Sequence, residues 1–592
     1  MIFYPKVKAK APYRQKLDKF KGYNHNLRIG SGEFYEMENL TSDDYPVLSP
    51  RAKRGLVYEL QDNGYSTGML FVPGTGLFIT INHQEDHSDE EYGALYLLGE
   101  DGELSYIVGS LLPGPKSLAL MGKDLVIAPD MIGIGIERRE KFDLGATMVV
   151  DQGTVTIEMC DADGNRYENV IVSNEAPTTN VGYHQLWLCT AAGSVGLKQY
   201  EPSTAEWVSI PSTYVRINCD PYRGLADGDG IEISGLTGVA GNLNGSYIAT
   251  KVAYHGYIMI PGIIYEKYTQ DCSEFPIMIE RKIPQLDYIV ESVNRIWGCK
   301  RDANEIYACK LGDIRNWNCF QGLSTDSWVG NVGTPGEFTG AVVQNGYPIF
   351  YKENCKHKVW PSSTGAHQIT TVTCNGVEKG SESSLAVLDG TVFYKSSSGI
   401  FADDGGGAVE IGHNLGDITY SEATGTVHNR KYYLNMYGED RKNHLFVYDI
   451  ARKLWHLEDG IAGFIASGSG SLYSISGGEV WDLTGNTGTL EEDVSWMAVT
   501  GDLGLELPEQ KYISRLTLRL SLDPGATLEV YAQYDREQTW VKLGQVYGTD
   551  LRSFSLPVRP RRCDQLRLKL QGTGMCKLYS ITKTLEKGSE LS

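Results

Sequence analysis

The chain lacks any run of roughly eighteen apolar residues, so no segment is expected to cross a membrane as a helix. Helical periodicity is nearly absent throughout. The opening stretch, MIFYPKVKAKAPYRQK, puts lysines and prolines where a secretory signal needs an apolar core, and secretion is not expected. Signals of cysteine pairing are missing too. The 11 cysteines are odd in number and include no C-x-x-C. Cys299, Cys309 and Cys319 recur every ten residues, a spacing that on short strands marks repeated core positions rather than ligands. They read as reduced thiols of a protein made in a cytosol. Positive charge is also short: 54 Lys and Arg against 74 Asp and Glu leave a net charge of −20. That balance argues against a protein that grips phosphates, although an acidic wall lets a polyanion slide past. Finally, there is no G-x-S-x-G, P-loop, H-E-x-x-H or Rossmann fingerprint.

What the chain does have is 67 Gly and 36 Tyr, the material of many turns and half-buried strands. Between Leu286 and Leu483 one pattern recurs: apolar strand, Gly/Asn/Asp turn, aromatic strand, turn, and a strand ending near Trp or Phe. The units Ile296–Phe320, Gly340–Trp360, Leu385–Gly412, Gly425–Leu457 and Gly463–Leu483 follow at about forty-residue spacing, the signature of β-propeller blades. Residues 55–140 hold material for about two more. The expectation is an all-β protein: a propeller of six or seven blades, interrupted by a β-rich insertion at 141–285 and resumed over 286–490. Residues 1–54 read as an arm without strong periodicity. Residues 491–592, with the alternating runs LTLRLSL and QLRLKLQ, read as a C-terminal β-sandwich.

Candidate chemistry is sparse, and no residue is assigned a catalytic, cofactor or metal role. Asp161-Ala-Asp163-Gly-Asn165 has the look of a calcium loop, but Val172 stands where a bidentate Glu belongs, and a hairpin turn is the better account. Asp227-Gly-Asp229-Gly and Asp403-Asp404-Gly read as tight turns. His83, Asp86, His87, Asp89, Glu90 and Glu91 read as a charged loop tip rather than a metal site. Basic residues gather in two places. Lys6, Lys8, Lys10, Arg14 and Lys16 lie in a solvated arm or one that docks on an acidic neighbour. Arg559, Arg561 and Arg562 precede Asp564, with which one arginine is expected to pair, leaving others to hold a partner's carboxylates.

Three segments resemble a known family. Phe20–Gly55, with Gly32, Glu33, Asn39, Leu40, Pro46, Leu48, Arg51 and Arg54, resembles the opening of tail-tube and nozzle proteins of tailed bacteriophages. Val558–Ser589 is similar to the terminal sandwich of phage "stabilization" proteins, and Asn294–Gly322 to a blade that recurs in them. The resemblance implies a non-enzymatic virion protein, assembled in a bacterial cytoplasm into a homo-oligomeric ring, usually a hexamer. Such a ring meets other tail or portal and adaptor proteins, and DNA passes its lumen without sequence-specific binding. Two rival expectations stand beside it. One is a tail-tip carbohydrate-binding protein that would use the insertion aromatics Trp187, Tyr247, Tyr254 and Tyr257. The other is a propeller glycosidase, which needs two carboxylates about 5–10 Å apart at the channel mouth.

Overall fold

The computed structural model describes residues 12–60, 64–84, 91–179, 181–211, 213–220, 224–253, 256–460, 463–505, 511–558 and 561–587. The fold is all-β, as the turn-rich pattern predicts. Among the described residues the only helical segments are three short 3-10 turns.

Six four-stranded antiparallel meanders and a seventh sheet of five strands follow one another among these residues. The first three span Tyr65–Leu111, Ser117–Asp143 and Tyr288–Asn331. The next three span Phe338–Thr373, Ala386–Glu410 and Tyr420–Glu458. The seventh joins Ile465–Gly468, Ser471–Ser476 and Glu479–Asp482 to Gly55–Glu59, a strand from the far end of the chain. The innermost strand of each sheet contacts that of the next, and the seventh contacts the first, so the ring is closed.

Period-two alternation explains how the ring holds together, because successive side chains of a strand point to opposite faces. In Tyr347–Lys352, Phe350 packs with Trp297 and Ile306 of the third sheet, while Ile349 and Tyr351 pack with Tyr394 and Phe401 of the fifth. Each neighbouring pair of sheets encloses a cluster of this kind. Leu125 and Ile127 meet Phe78 and Leu95 between the first two, and Val480 and Ile475 meet Ile79 and Ile81 across the closure. Three successive sheets end their third strand on a buried aspartate that caps the following turn. Asp403 accepts from Gly405 N (2.8 Å), Asp449 from Arg452 N (2.9 Å) and Asp482 from Thr484 N (2.9 Å).

Between the second and third sheets, residues 146–281 form three sheets with a hydrophobic core of their own, including Ile157, Ile217, Ile231 and Ile279. Asp229 ties this insertion to the ring: it pairs with Arg281 and accepts from Asn316 Nδ2 (3.2 Å), and Arg281 Nε reaches Leu144 O (3.0 Å).

In the C-terminal β-sandwich, the strand Lys511–Tyr534 pairs with Cys576–Lys587 along its first half and Leu566–Thr573 along its second. The handover falls at Asp523-Pro524-Gly525, where Gly525 takes φ +88° and lets the strand bend between layers. The expectation of an irregular arm changes here. Tyr13–Leu17 is a strand on Ile581–Leu585, Glu33–Glu38 pairs with the strand Ser495–Thr500, and Gly22–Tyr23 pairs with Trp455 of the sixth sheet. Short strands whose partners lie hundreds of residues away leave no periodic trace. One core therefore runs from the sixth sheet through Phe34 to Trp496, Leu518 and Leu568.

Candidate functional site: the axial cleft

Six of the seven innermost strands, and the turn ahead of the fifth sheet, line a cleft of about 490 Å³ along the ring axis. Its apolar wall includes Met69, Leu70, Phe71 and Phe464. The polar wall is Lys116, Asp287, Tyr288, Arg301 and Glu382. Each enters for a local reason. Lys116 ends the link between the first and second sheets, and its backbone N–H donates to Thr67 O (2.9 Å). Asp287 and Tyr288 open the third sheet, Arg301 lies in that sheet's second turn, and Glu382 starts a 3-10 turn ahead of the fifth.

These charges are matched within the wall. The fully buried Lys116 ammonium lies 2.7 Å from Asp130 and also donates to Leu112 O. Asp287 accepts from the Arg301 backbone N–H (2.7 Å). The Arg301 side chain donates from Nε to Tyr288 Oη (3.1 Å) and sits 3.7 Å from Glu382. Burial opposes the charged form of Arg301, but its contacts with Tyr288 and Glu382 prevail and raise its pKa. Burial likewise pushes the Tyr288 hydroxyl up. Further polar groups stitch neighbouring blades along the wall. Ser117 exchanges hydrogen bonds with Ile289, and Thr424 donates to Gly463 O (2.6 Å). The arrangement is a polar lacing of the ring around a cleft large enough for a small ligand.

The residues singled out from the sequence are scattered rather than gathered here. Arg14 and Lys16 lie on the edge strand of the C-terminal sheet, where Lys16 pairs with Asp18 at 2.9 Å. Arg561 pairs with Glu537 and lies over the Tyr534 ring (5.1 Å). Lys511 stands 3.9 Å from Asp564. Arg562 is described, with interactions of its own. Lys6, Lys8, Lys10 and Arg559 lie outside the described residues, as do Tyr254 and, near His83, Asp86, His87, Asp89 and Glu90. His83 itself is buried, 3.0 Å from Tyr96 Oη and stacked on Tyr92.

Of the insertion aromatics, Trp187 is 5% exposed, packed edge-on to Trp207 (5.4 Å) with Lys198 over its ring. Tyr247 and Tyr257 are half-buried, and Arg216 covers the Tyr257 ring at 4.1 Å. The Asp161 turn is closed by its own chain: Asp161 accepts from the backbone of Asp163 (2.9 Å) and Asn165 (2.8 Å). Arg216 and Lys251 occupy the carbonyls of Gly164 and Asp163. Among the described residues no group of three or more His, Cys, Asp or Glu could hold a metal ion.

What residue-by-residue reading missed is a cluster around Arg51 and Arg54. Arg51 Nη1 lies 2.5 Å from Glu491 and Arg54 Nη2 lies 2.8 Å from Glu458, with Asp459 reached by both. Asn39 Oδ1 accepts from Arg51 Nε (2.8 Å) and from Asp459 N (3.0 Å).

No protein-family model matches the sequence, and no curated protein does. Among solved structures, BamB from Moraxella catarrhalis aligns over 73% of this chain and 97% of its own at 9% identity, with a TM-score of 0.29. The exo-beta-1,3-galactanase from Phanerochaete chrysosporium with galactose aligns over 50% and 94% at 10% identity, TM-score 0.21. The phage phi92 endosialidase aligns over 76% and 53% at 10% identity, TM-score 0.20. Likeness at this level bears on neither activity nor partner.

Proposed function

We propose that this protein is a structural subunit of a bacteriophage tail, of the nozzle or tail-tube kind, and acts without catalysis. Copies close a homo-oligomeric ring around the DNA channel at the tail or head–tail junction, retain the packaged DNA and let it pass during ejection. One observation carries the reading. Four of the positions on which the phage resemblance rests, Asn39, Leu48, Arg51 and Arg54, lock the N-terminal segment into the ring and the C-terminal sandwich. A surface motif would leave them solvated; here they weld two folded units into one stiff body, which a pressure-bearing wall requires. The lacing of Asp287, Arg301, Glu382 and Lys116 within the axial cleft supports a structural wall over a hydrolytic pair, and the net charge of −20 suits a surface past which DNA slides.

The test is the mass of the purified protein in solution, alone and mixed with isolated tail and portal components. A closed ring, formed alone or on a neighbour, is the expected result. A stable monomer indifferent to every virion partner would overturn the proposal.

A further inference from the structure

One face of the C-terminal sandwich departs from the acidic character of the chain. Four strands lie side by side there, in the order Val541–Leu556, Lys511–Tyr534, Cys576–Lys587 and Tyr13–Leu17. Leu516, Leu518 and Ile581 point into the core, so their alternate neighbours form the outer face. The register sets these neighbours in three successive rows. Arg14 and Arg515 flank Thr584 in the first, and Lys16, Thr582, Thr517 and Ser555 make the second. Ser580, Arg519 and Ser553 make the third. The hydroxyls of Thr517 and Ser555 lie 3.2 Å apart across their two strands. All four cations and both edge serines are exposed. Lys16 reaches a carboxylate, Asp18 at 2.9 Å, just past the end of its strand. Glu586, one row beyond Thr584, accepts from Tyr512 Oη (2.8 Å). Arg14, Arg515 and Arg519 form no ion pair with a described residue.

The three rows hold only arginine, lysine, serine and threonine, and that composition narrows the partner. A protein interface draws its affinity from aromatic or apolar anchors, and none stands in these rows. Single-stranded nucleic acid is held by bases stacked on aromatic rings, which the rows also lack. Guanidinium, ammonium and hydroxyl donors together are the groups that hold duplex phosphates. We infer that this face binds the phosphate backbone of double-stranded DNA. Arg14, Arg515 and Arg519 each meet a phosphate, and Ser553 and Ser555 donate beside them. A face that touches phosphates alone is indifferent to base sequence. The net charge of −20 keeps DNA off the remaining surface and confines the contact to this face. The inference goes beyond the ring and does not require it, since a single copy carries all three rows.

The experiment titrates the full chain into two short fluorescein-labelled duplexes of unrelated sequence, read by anisotropy. Both are expected to bind alike. Three phosphate contacts should make binding about 40-fold weaker at about 200 mM salt than at about 50 mM. Arg515→Gln or Arg519→Gln should each reduce the slope of log affinity against log salt by roughly a third. Adding Arg14→Gln to both should remove the dependence. Arg138→Gln, at an exposed turn of the second sheet, should leave it unchanged. The altered side chains are exposed, and an unchanged unfolding midpoint verifies that each variant folds. No salt-dependent binding, equal binding by the triple variant, or preference for one duplex would overturn the inference. Binding of poly-glutamate without binding of duplex would give the face to an acidic protein and overturn it too. Failure of the two ideas is separable. An assembled ring indifferent to duplex sinks the phosphate face and leaves the ring standing. A chain that never assembles, yet binds duplex through these arginines, sinks the ring and upholds the face.

Discussion

Arg54 Nη2 lies 2.8 Å from Glu458 Oε2, with side-chain exposures of 1% and 8%. The arginine comes from the N-terminal segment and the glutamate ends the sixth sheet, 404 residues later. Breaking a buried pair by removing one partner strands the other charge in a low dielectric, at about 3–5 kcal/mol. Arg51 Nε still stands 3.8 Å from Glu458, so Arg54→Met is expected to lower unfolding stability by up to that amount. Arg54→Met with Glu458→Met should recover part of the loss, since neither charge is then stranded. Denaturant midpoints of the two variants check both expectations.

Acid should weaken the protein in two stages. Burial raises the pKa of Asp449, Asp459 and Asp482, but their donors outweigh it. Ser42 and Arg452 hold the first below the ordinary 3.8, Arg54 and Arg51 the second, and Thr484, Thr487 and Ser471 the third. A carboxylate lowered on folding contributes stability in full above its ordinary value, begins to lose it there, and has lost it once pH falls through the lower value it takes in the fold. His456 acts earlier. Its ring nitrogens have no hydrogen-bond partner among the described residues, and burial, aided by Lys431 against Asp449 and Asp43, lowers it from 6.5 to about 3. The neutral ring is favoured in the fold, so its contribution is complete above 6.5 and declines from there toward 3. His357, lowered by burial to about 4, adds to the same slope. Stability should thus be flat from about pH 7 to 8, sag below 6.5, and fall steeply below about 4. His456→Leu is expected to shrink the sag, measured as the difference in unfolding midpoint between about pH 5 and pH 8.

Closure of the ring offers a steric test. Gly55 opens the strand that completes the seventh sheet, and a Cβ there would stand 1.9 Å from Thr487 O. Because that oxygen belongs to the backbone, no rotamer relieves the clash. Gly55→Val should cost roughly 1–3 kcal/mol or more and free the closing strand. Limited proteolysis is expected to cut the variant ahead of residue 65 faster than the parent. Equal cleavage would mean that the strand does not bear the closure.

Trp187 provides a test within the insertion. Its ring is packed against Trp207 and Lys198 rather than presented to solvent. Trp187→Ala should lower the stability of the insertion by about 3–5 kcal/mol and remove the near-ultraviolet signal of the coupled indoles. An unchanged melting profile would return this residue to the list of surface aromatics free to meet a glycan.

The fold class was legible because each sheet carries its own signal. Apolar alternation, a Gly/Asn/Asp turn and an aromatic strand recur locally, and the turn-capping aspartates of the last three sheets are visible as IFAD, FVYD and EVWD. What could not be read is what depends on distant partners. Gly55–Glu59 is five residues long and says nothing of Glu479–Asp482. Asp229 looks like a turn residue, and does accept from Ala226 N (2.8 Å), but Arg281 and Asn316 are what make it an anchor. Trp187 could have been a stacking platform or core, since strand aromatics look the same in sequence until their neighbours are known. The axial cleft was hidden for the same reason: its wall takes a few residues from each of six sheets and from the turn ahead of the fifth, and no contiguous motif spells it.

The closing strand also sets a clock. Gly55–Glu59 leaves the ribosome about 420 residues before its partner Glu479–Asp482. At about 5–20 residues per second, it waits some 20–80 s with an unpaired edge. Through that interval the nascent chain is an open arc whose first and last blades expose apolar faces. A cell making many copies at once thus holds a population of open arcs, and a chain in that state can take its missing strand from a neighbour as readily as from itself.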